Sequence, residues 1–174
     1  IVEGQSFDPK RAVLHGFPFG SMTAFIFGVH VVEVEVDTET GEVRVVRAVA
    51  AHDVGRAINP AIVEGQIEGG FAQGLGYALM EDLVLDGGQT VNPSFIDYKI
   101  PSVLDLPDDL IPIIVEEADP NGPFGAKGVG EPGLVPTAPA VANAIYHALG
   151  VRIHDLPMTP EKVLAALEAK RAEG

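Results

Sequence analysis

The sequence predicts an α+β fold in which a mixed sheet containing a β-hairpin packs against helices. Valines alternate with glutamates early in the chain, as in a half-buried strand, and later segments carry helix start and stop signals. These patterns follow one another without the repeating strand–helix alternation of a parallel-sheet protein. The chain has 174 residues, of which 47% are hydrophobic, and this is enough for one core. We therefore expect residues 1–174 to form a single domain.

The first regular element is predicted to be a β-hairpin. Residues 1–28 are rich in glycine, proline and aromatic residues without periodicity, so we expect an irregular N-terminal segment. The alternation of valine and glutamate over Val32–Val36 places the valines on one face of a strand and the carboxylates on the other. The run DTETG at Asp37–Gly41 is typical of a turn, and the β-branched run Val43–Val49 follows at once. The two runs predict a hairpin with one polar face.

A glycine-rich helix is predicted next. Asn59 followed by Pro60 indicates a helix start, because asparagine caps free N–H groups and proline suits the first helical position. The helix is expected to end near Met80. It contains five glycines, each of which costs roughly 1 kcal/mol relative to alanine: Gly65, Gly69, Gly70, Gly74 and Gly76. Gly65 with Gly69, and Gly70 with Gly74, are four residues apart and therefore share a face of the helix. Another helix or a ligand is expected to come close to the bare backbone there.

The second half of the chain predicts two strands and two helices. Leu110–Glu117 is a strand candidate. A helix is expected over Pro139–Leu149, started by Thr137 or a neighbour, and Gly150 ends it in the left-handed conformation. Val151–His154 is predicted to be a short strand, and a last helix is predicted over residues 159–172.

The composition excludes several classes of function. Subtracting 25 acidic from 11 basic residues gives a net charge of −14, which repels nucleic acid and anionic membrane surfaces. Without cysteine the chain builds no disulfide, thiolate zinc site or iron–sulfur cluster, so any such cluster is expected elsewhere. No apolar run is long enough to span a membrane and no signal peptide is visible, so we expect a soluble, cytoplasmic protein. Because the chain begins Ile-Val, we expect a portion of a longer protein or a processed chain.

Glu131 is the candidate catalytic residue. It lies in the run GPFGAKGVGEPGLVPTAPA, Gly122–Ala140, which has five glycines between Gly122 and Gly133. A carboxylate among glycine, proline and apolar residues is in a setting that raises its proton affinity and can poise it as a base. The alternative is a solvated carboxylate, the usual state of glutamate. Lys127, four residues earlier, is a candidate for orienting a bound group, with a solvated lysine as the alternative.

Two other kinds of site are considered and not favoured. Gly128–Gly133 formally matches the dinucleotide-binding pattern G-x-G-x-x-G, with Asp155 downstream as an acidic partner. That fingerprint must follow a strand directly and open a helix, whereas ADPNGPFGAK precedes these glycines and Pro132 interrupts them. The five histidines lack metal-binding spacing and are expected to be surface or hydrogen-bonded structural residues. The adjacent His52 and Asp53 could be a ligand pair, but neighbours on a strand point to opposite faces.

Three long segments of the chain resemble one known family. They read HDVGRAINPAIVEGQIEGGFAQGLGYALMEDL (His52–Leu83), NPSFIDYKIPSVLDLP (Asn92–Pro107) and GPFGAKGVGEPGLVPTAPAVANAI (Gly122–Ile145). In this order they are similar to the C-terminal part of the molybdenum-binding subunit of the xanthine dehydrogenase and aldehyde oxidase family. The resemblance covers nearly the whole chain and implies the fold of a C-terminal molybdopterin-binding domain. The chain corresponds only to the C-terminal portion of the family's large subunit.

The resemblance implies part of a molybdenum hydroxylase that oxidises an aldehyde or N-heterocycle with water as the oxygen source. In that family a pterin dithiolene holds the metal, a glutamate of a G-x-G-E motif takes the proton from Mo–OH, and hydride passes to Mo=S. By match to the motif, Glu131 is this base. The resemblance also implies that Gln66, in the G-Q-x-x-G motif, lies beside the metal, and that Gly130 corresponds to backbone adjoining the metal centre. Gln73 is the second glutamine of the same helix, and we include Lys127 among the candidate cofactor-binding residues.

The resemblance also implies that the rest of the site lies outside this chain. Expected partners are the remaining part of the molybdenum subunit, iron–sulfur and flavin subunits or domains, and a small-molecule substrate, in an oligomer. The cofactor is molybdenum–molybdopterin, with a simple pterin or a dinucleotide left open, and activity is expected only with the missing part present. The alternative is a non-catalytic assembly or interaction module with the same fold. The presence of both Glu131 and Gln66 favours the enzyme.

Overall fold

The computed structural model of the chain describes residues 25–173, which contain five strands and three α-helices. The strands are β1 (Gly28–Val36), β2 (Val43–Asp53), β3 (Leu85–Asp86), β4 (Gln89–Thr90) and β5 (Asp109–Val115). The helices are α1 (Pro60–Leu79), α2 (Thr137–Leu149) and α3 (Pro160–Glu173). Helices packed on a mixed sheet confirm the predicted α+β fold.

β1 and β2 form the predicted hairpin. They pair antiparallel from Gly28 with His52 to Val36 with Val43, with a register shift after Glu33. Val32, Val34 and Val36, which were predicted to face the core, are half-buried, and both glutamates of β1 are exposed. The predicted irregular segment, residues 1–28, lies outside the described residues except at its end, where Gly28 already belongs to β1.

The connecting turn is held by Asp37. Its carboxylate oxygen Oδ1 accepts the backbone N–H of Glu39 at 2.7 Å and that of Thr40 at 3.1 Å. Gly41 completes the turn with a φ of 79°, in the left-handed region that glycine adopts without steric cost. The sequence run DTETG therefore forms the turn that it predicts.

β5 pairs with β2 in parallel, which the sequence does not predict. Parallel neighbours need a long connection, and here α1 and residues 80–108 supply it. The sheet order is β1-β2-β5, so β2 is the central strand. Its last two residues, His52 and Asp53, therefore lie between the start of β1 and the end of β5.

The main core lies between one face of this sheet and the helices. Its buried residues come from β2, α1, α2 and the segment before α3: Val45, Ala48, Phe71, Leu75, Ala78, Val141, Ile145 and Met158. On the opposite face, cross-strand neighbours leave apolar side chains exposed: Val29, Val31, Ile111, Ile113 and Val115. The described residues thus cover only one of the two apolar faces of the sheet.

One group of α1 glycines is required for packing. A Cβ on Gly70 would lie 2.8 Å from the carbonyl carbon of Gly133, and a Cβ on Gly74 would lie 2.5 Å from Cβ of Thr137. Both distances are too short for real carbon atoms. The expected close approach of another segment is therefore confirmed for this face, which packs against the start of α2 and the loop before it.

The other group has no neighbours within the described part of the chain. A Cβ on Gly65 or Gly69 would meet no atom of residues 25–173 within 4 Å. Packing among these residues does not explain why the two positions lack side chains, although each glycine weakens the helix. Among residues 25–173 this face of α1 is open.

The predicted helix boundaries are confirmed, but one predicted strand is wrong. Asn59 caps α1 through its side-chain oxygen, and Gly150 ends α2 with a φ of 67°. Val151–His154 has no strand pairing among the described residues. Val151 packs against α3 instead, and the guanidinium of Arg152 stacks on the ring of Tyr146. No helix in residues 25–173 has the length and hydropathy to cross a membrane.

Neighbouring glycines of α1 provide a test of the packing. We expect Gly70→Ala to lower the free energy of unfolding by about 1–3 kcal/mol, because the new methyl group overlaps the backbone of Gly133. Gly69→Ala is the matched control. Its methyl group meets no described atom, so the higher helix propensity of alanine is expected to raise stability by up to about 1 kcal/mol. Urea denaturation measures both values, and equal effects would contradict this packing.

Candidate functional site

The loop that carries Glu131 follows β5 and crosses the end of the sheet. We define the Glu131 loop as Gly122–Pro136. Its backbone is hydrogen-bonded to the segment after β2, since the Lys127 N–H donates to the Val54 carbonyl at 2.9 Å and the Arg56 N–H donates to the Gly125 carbonyl at 3.0 Å. These bonds place the glycine-rich loop beside the end of the central strand.

Glu131 lies on the edge of an open cleft of ≈ 620 Å³. The other lining residues are mostly apolar or glycine, among them Ile26, Gly28, Gly130 and Val135. This composition agrees with the predicted setting. Glu131 itself is exposed, however, so the burial expected to raise the proton affinity of its carboxylate is not provided by residues 25–173.

Gln66 and Glu131 lie on adjoining segments. The backbone of Gly133, two residues after Glu131, packs on α1, where a Cβ on Gly133 would lie 3.2 Å from the Ile67 carbonyl oxygen and 3.4 Å from that of Gln66. The side chain of Gln66 is exposed beside the open glycine face. A Cβ on Gly130 would meet no described atom within 4 Å. Gly130 and Glu131 therefore line one open cleft, and the loop that carries them packs on the turn of α1 from which the exposed Gln66 projects.

Gln73 lies about two turns beyond Gln66 on α1. It is seven residues beyond Gln66, which is roughly 10 Å along the helix axis. Its side chain is exposed, and its amide donates a hydrogen bond to the Tyr77 hydroxyl at 3.3 Å. Its predicted cofactor contact stays a prediction.

Lys127 is not a solvated lysine. Its amine forms an ion pair with the Asp53 carboxylate, and both side chains are only 9% exposed. Burial raises the pKa of Asp53, but the Lys127 hydrogen bond, the Gly55 N–H donated at 2.9 Å and the lysine charge lower the pKa below its usual range. The solvated alternative is therefore wrong, and the cofactor-binding role of Lys127 stays a prediction.

A buried chain of hydrogen bonds connects the sheet to α2. Nε2 of His52 lies 2.7 Å from Nε2 of His30, and Nδ1 of His30 lies 3.1 Å from Oγ1 of Thr137. The Thr137 hydroxyl donates to the Gly133 carbonyl at 3.3 Å. Burial and the neighbouring His52 lower the pKa of His30 from 6.5 to about 4, and burial also lowers the pKa of His52.

The sequence does not predict this series of hydrogen bonds, because the two histidines are 22 residues apart and Thr137 is 107 residues from His30. A usable signal is that His30 occupies the core face of a strand whose other core-facing residues are valines. For these two histidines the expected hydrogen-bonded structural role is confirmed. His147 and His154 are exposed, and His15 lies outside the described residues.

Neither alternative kind of site has the required arrangement. Residues 116–127 separate β5 from Gly128, and Asp155 does not end a strand, so the context of a dinucleotide fingerprint is missing. Within residues 25–173 no group of three or more histidine or carboxylate side chains is placed to hold a metal ion.

Sequence comparison identifies the family. Residues 5–107, more than half of the chain, match the family described as molybdopterin cofactor-binding domain. The chain is 42% identical over 144 residues to the aldehyde oxidoreductase molybdenum-binding subunit PaoC of Escherichia coli strain K12, covering 81% of this chain and 20% of that protein. It is 40% identical over 139 residues to the xanthine dehydrogenase molybdenum-binding subunit of Escherichia coli O157:H7, covering 79% of this chain and 18% of that protein.

Structure comparison agrees. The fold matches the aldehyde oxidoreductase from Desulfovibrio gigas with a TM-score of 0.78 and 40% sequence identity, covering 86% of this chain and 16% of that one. The chain therefore spans about a fifth or less of the length of these relatives. Glu131 lies beyond the residues matched to the family description.

The histidine pair predicts a pH dependence of stability. A folded-state pKa below the unfolded value means that the unfolded chain binds protons first, so stability is present above pH 6.5 and is lost as the pH falls toward 4. At ~1.4 kcal/mol per pKa unit, His30 contributes up to about 3 kcal/mol. We expect His30→Gln to reduce this acid dependence in urea denaturation, and His147→Gln, at an exposed site, to leave it unchanged. Identical acid profiles for the two variants would contradict the role of the buried pair.

Proposed function

The chain belongs to the molybdopterin cofactor-binding domain family, and on this premise we propose that it is the C-terminal part of a molybdenum hydroxylase. Its relatives are molybdenum-binding subunits of xanthine dehydrogenase and aldehyde oxidoreductase. The proposed reaction oxidises an aldehyde or N-heterocycle with water as the oxygen source. The observation that carries the proposal is the open cleft lined by Gly130 and Glu131, in a loop that packs on the turn of α1 carrying the exposed Gln66.

The open glycines fit a bulky group that approaches from outside. Side chains at Gly65, Gly69 and Gly130 would meet nothing within 4 Å in the described structure. Glycine at such positions is explained if something not included in residues 25–173 comes close to the backbone. A molybdopterin cofactor is a group of this kind, and when bound it supplies the two-electron oxidant.

Glu131 is proposed as the general base. The conversion of a C–H bond and water into a C–OH group releases two protons and two electrons, so a proton acceptor beside the substrate is needed. The carboxylate of Glu131 is free to accept one of these protons, since it is exposed on the cleft and has no ion-pair partner among residues 25–173. Closure of the cleft by the rest of the enzyme would exclude water from this carboxylate and raise its proton affinity.

The other site residues are proposed to hold the cofactor. The exposed amide of Gln66 can donate a hydrogen bond, and the bare backbone at Gly130 allows close approach. Gln73 is proposed to contact the cofactor further along α1. Lys127 is proposed to act near the cofactor while its amine stays paired with Asp53.

The remaining walls of the site are proposed to come from the rest of the molybdenum subunit. This agrees with the small share of each relative that the chain covers and with the exposed apolar face of the sheet. Both E. coli relatives are named as subunits, which supports further subunits or domains that carry iron–sulfur clusters and flavin. Residues 1–174 are proposed to form one domain of that assembly, and its location is proposed to be the cytoplasm. The proposed cofactor is molybdenum–molybdopterin, as a simple pterin or as a dinucleotide.

Replacement of Glu131 tests the proposed function. Glu131→Gln keeps the size and hydrogen bonding of the side chain but removes its basicity. In the complete enzyme we expect unchanged molybdenum content and a rate of metal reduction by substrate that falls ~10²–10⁴-fold, the range for a positioned base. Single-turnover stopped flow measures this rate.

Glu168→Gln, at an exposed site on α3, is the matched control and is expected to reduce the metal at the normal rate. Near-normal reduction by Glu131→Gln with full cofactor content would contradict the assignment. That result would favour the alternative of a non-catalytic assembly module.

A further inference from the structure

Two buried interactions hold the Glu131 loop, one on each side of Glu131. Four residues before it, the amine of Lys127 forms the ion pair with Asp53. Two residues after it, the Gly133 carbonyl accepts the Thr137 hydroxyl, at the end of the hydrogen-bonded chain that begins at His52. Both interactions therefore lead to the last two residues of β2.

We propose that His52 and Asp53 are positioning residues that fix the Glu131 loop from opposite sides of the sheet. The inference rests on the proposed function in that it assigns the two residues to the placement of the general base. Neither side chain is proposed to touch the substrate or the cofactor.

The alternation of side chains along a strand makes this arrangement possible. Neighbouring residues of a strand point to opposite faces, which argues against His52 and Asp53 as joint metal ligands. The same geometry allows His52 to reach Thr137 through His30 on the helix-covered face, while Asp53 reaches Lys127 on the other face. On the central strand β2, His52 pairs with Gly28 of β1 and Ile114 of β5. Asp53 pairs with Val115 of β5, and its backbone N–H donates to the Phe27 carbonyl at 2.9 Å.

The hydrogen-bonded chain has one preferred direction. If the Thr137 hydroxyl donates to the Gly133 carbonyl, its oxygen must accept the Nδ1–H of His30. Nε2 of neutral His30 then accepts the Nε2–H of His52, and Nδ1 of His52 keeps an unpaired lone pair. Nδ1 of His52 has no hydrogen-bond partner in the structure described, as this direction requires. The reverse direction would bury an unpaired N–H group, which is more costly.

Anchors outside the loop matter because its prolines, Pro123, Pro132 and Pro136, restrict the backbone only at their own positions. Glycines occupy five positions between Gly122 and Gly133, and Gly130 has open surroundings. Glycine permits many backbone conformations, so the position of Glu131 depends on contacts outside the loop. A displacement of about 1 Å can lower an enzymatic rate ~10²-fold, so even modest loosening is expected to affect a general base.

Thr137 provides the cleanest test, because its hydroxyl can be removed without changing its shape. In the complete enzyme, Thr137→Val removes the bond to Gly133, and Thr137→Ser keeps the hydroxyl while removing a methyl group. We expect Thr137→Val to increase amide hydrogen exchange ~10-fold in residues 126–136, with no matching increase in α3. We also expect it to slow metal reduction by substrate ~10-fold or more, at unchanged molybdenum content. Thr137→Ser is expected to restore both properties.

The ion pair provides a second test with its own control. Asp53→Asn is expected to increase exchange of the same loop residues, and the double variant with Lys127→Gln, which leaves no unpaired charge, is expected to recover part of the protection. Glu35→Gln removes the exposed ion pair with Arg44 on the same sheet and is expected to leave the loop unchanged. Should Asp53→Asn fail to fold, the Thr137 variants still decide the question.

The outcomes separate this inference from the proposed function. Faster exchange throughout the protein with a normal reduction rate in Thr137→Val, or equal behaviour of Thr137→Val and Thr137→Ser, would overturn the positioning role. If Glu131→Gln proves normal, the proposed base is wrong, whereas local loosening by Thr137→Val would still support the anchoring of the loop. Unchanged loop exchange in both Thr137→Val and Asp53→Asn would overturn the anchoring itself.

Discussion

The close contact between the backbones of Gly70 and Gly133 is the constraint on which the rest of the site depends. Only glycine at position 70 leaves room for the loop, because a Cβ there would lie 2.8 Å from the Gly133 carbonyl carbon. The contact lays the loop along α1, so the segment that carries Glu131 packs on the turn of α1 that carries Gln66, although the two residues are 65 positions apart in the sequence. The glycines that weaken α1 as a helix thus allow it to form one wall of the site.

The same helix explains why the site is incomplete in this chain. The face of α1 with Gly70 and Gly74 is filled by the loop and α2, whereas the face with Gly65 and Gly69 meets no described atom. One face of the sheet likewise exposes apolar side chains. Both surfaces are explained by the family relationship, since the chain covers about a fifth or less of its relatives. Glu131 is likewise exposed among the described residues, so the burial that the proposed base requires must come from a part of the enzyme other than residues 25–173.

The sequence predicts the local elements well because their signals are local. Turn residues at Asp37–Gly41 and the cap at Asn59 act within a few residues, and both are confirmed. The parallel pairing of β5 and the partners of His30 depend on segments brought together only by folding, so no short pattern indicates them. The predicted strand Val151–His154 is wrong because burial against α3 satisfies its apolar residues without a sheet. For the candidate site, motif resemblance predicts roles for Glu131 and Gln66, which stay predictions, and it does not indicate the buried interactions of the loop.

The position of molybdenum in a crystal structure of the complete enzyme tests the central claim most directly. Anomalous diffraction at the molybdenum absorption edge locates the metal independently of any activity. We expect the peak beside Gly130, facing the Glu131 carboxylate and the Gly65–Gly69 side of α1, with the Gln66 amide directed toward the cofactor. A peak remote from this surface, for example against the apolar sheet face at Val29 and Ile113, would contradict the proposed site.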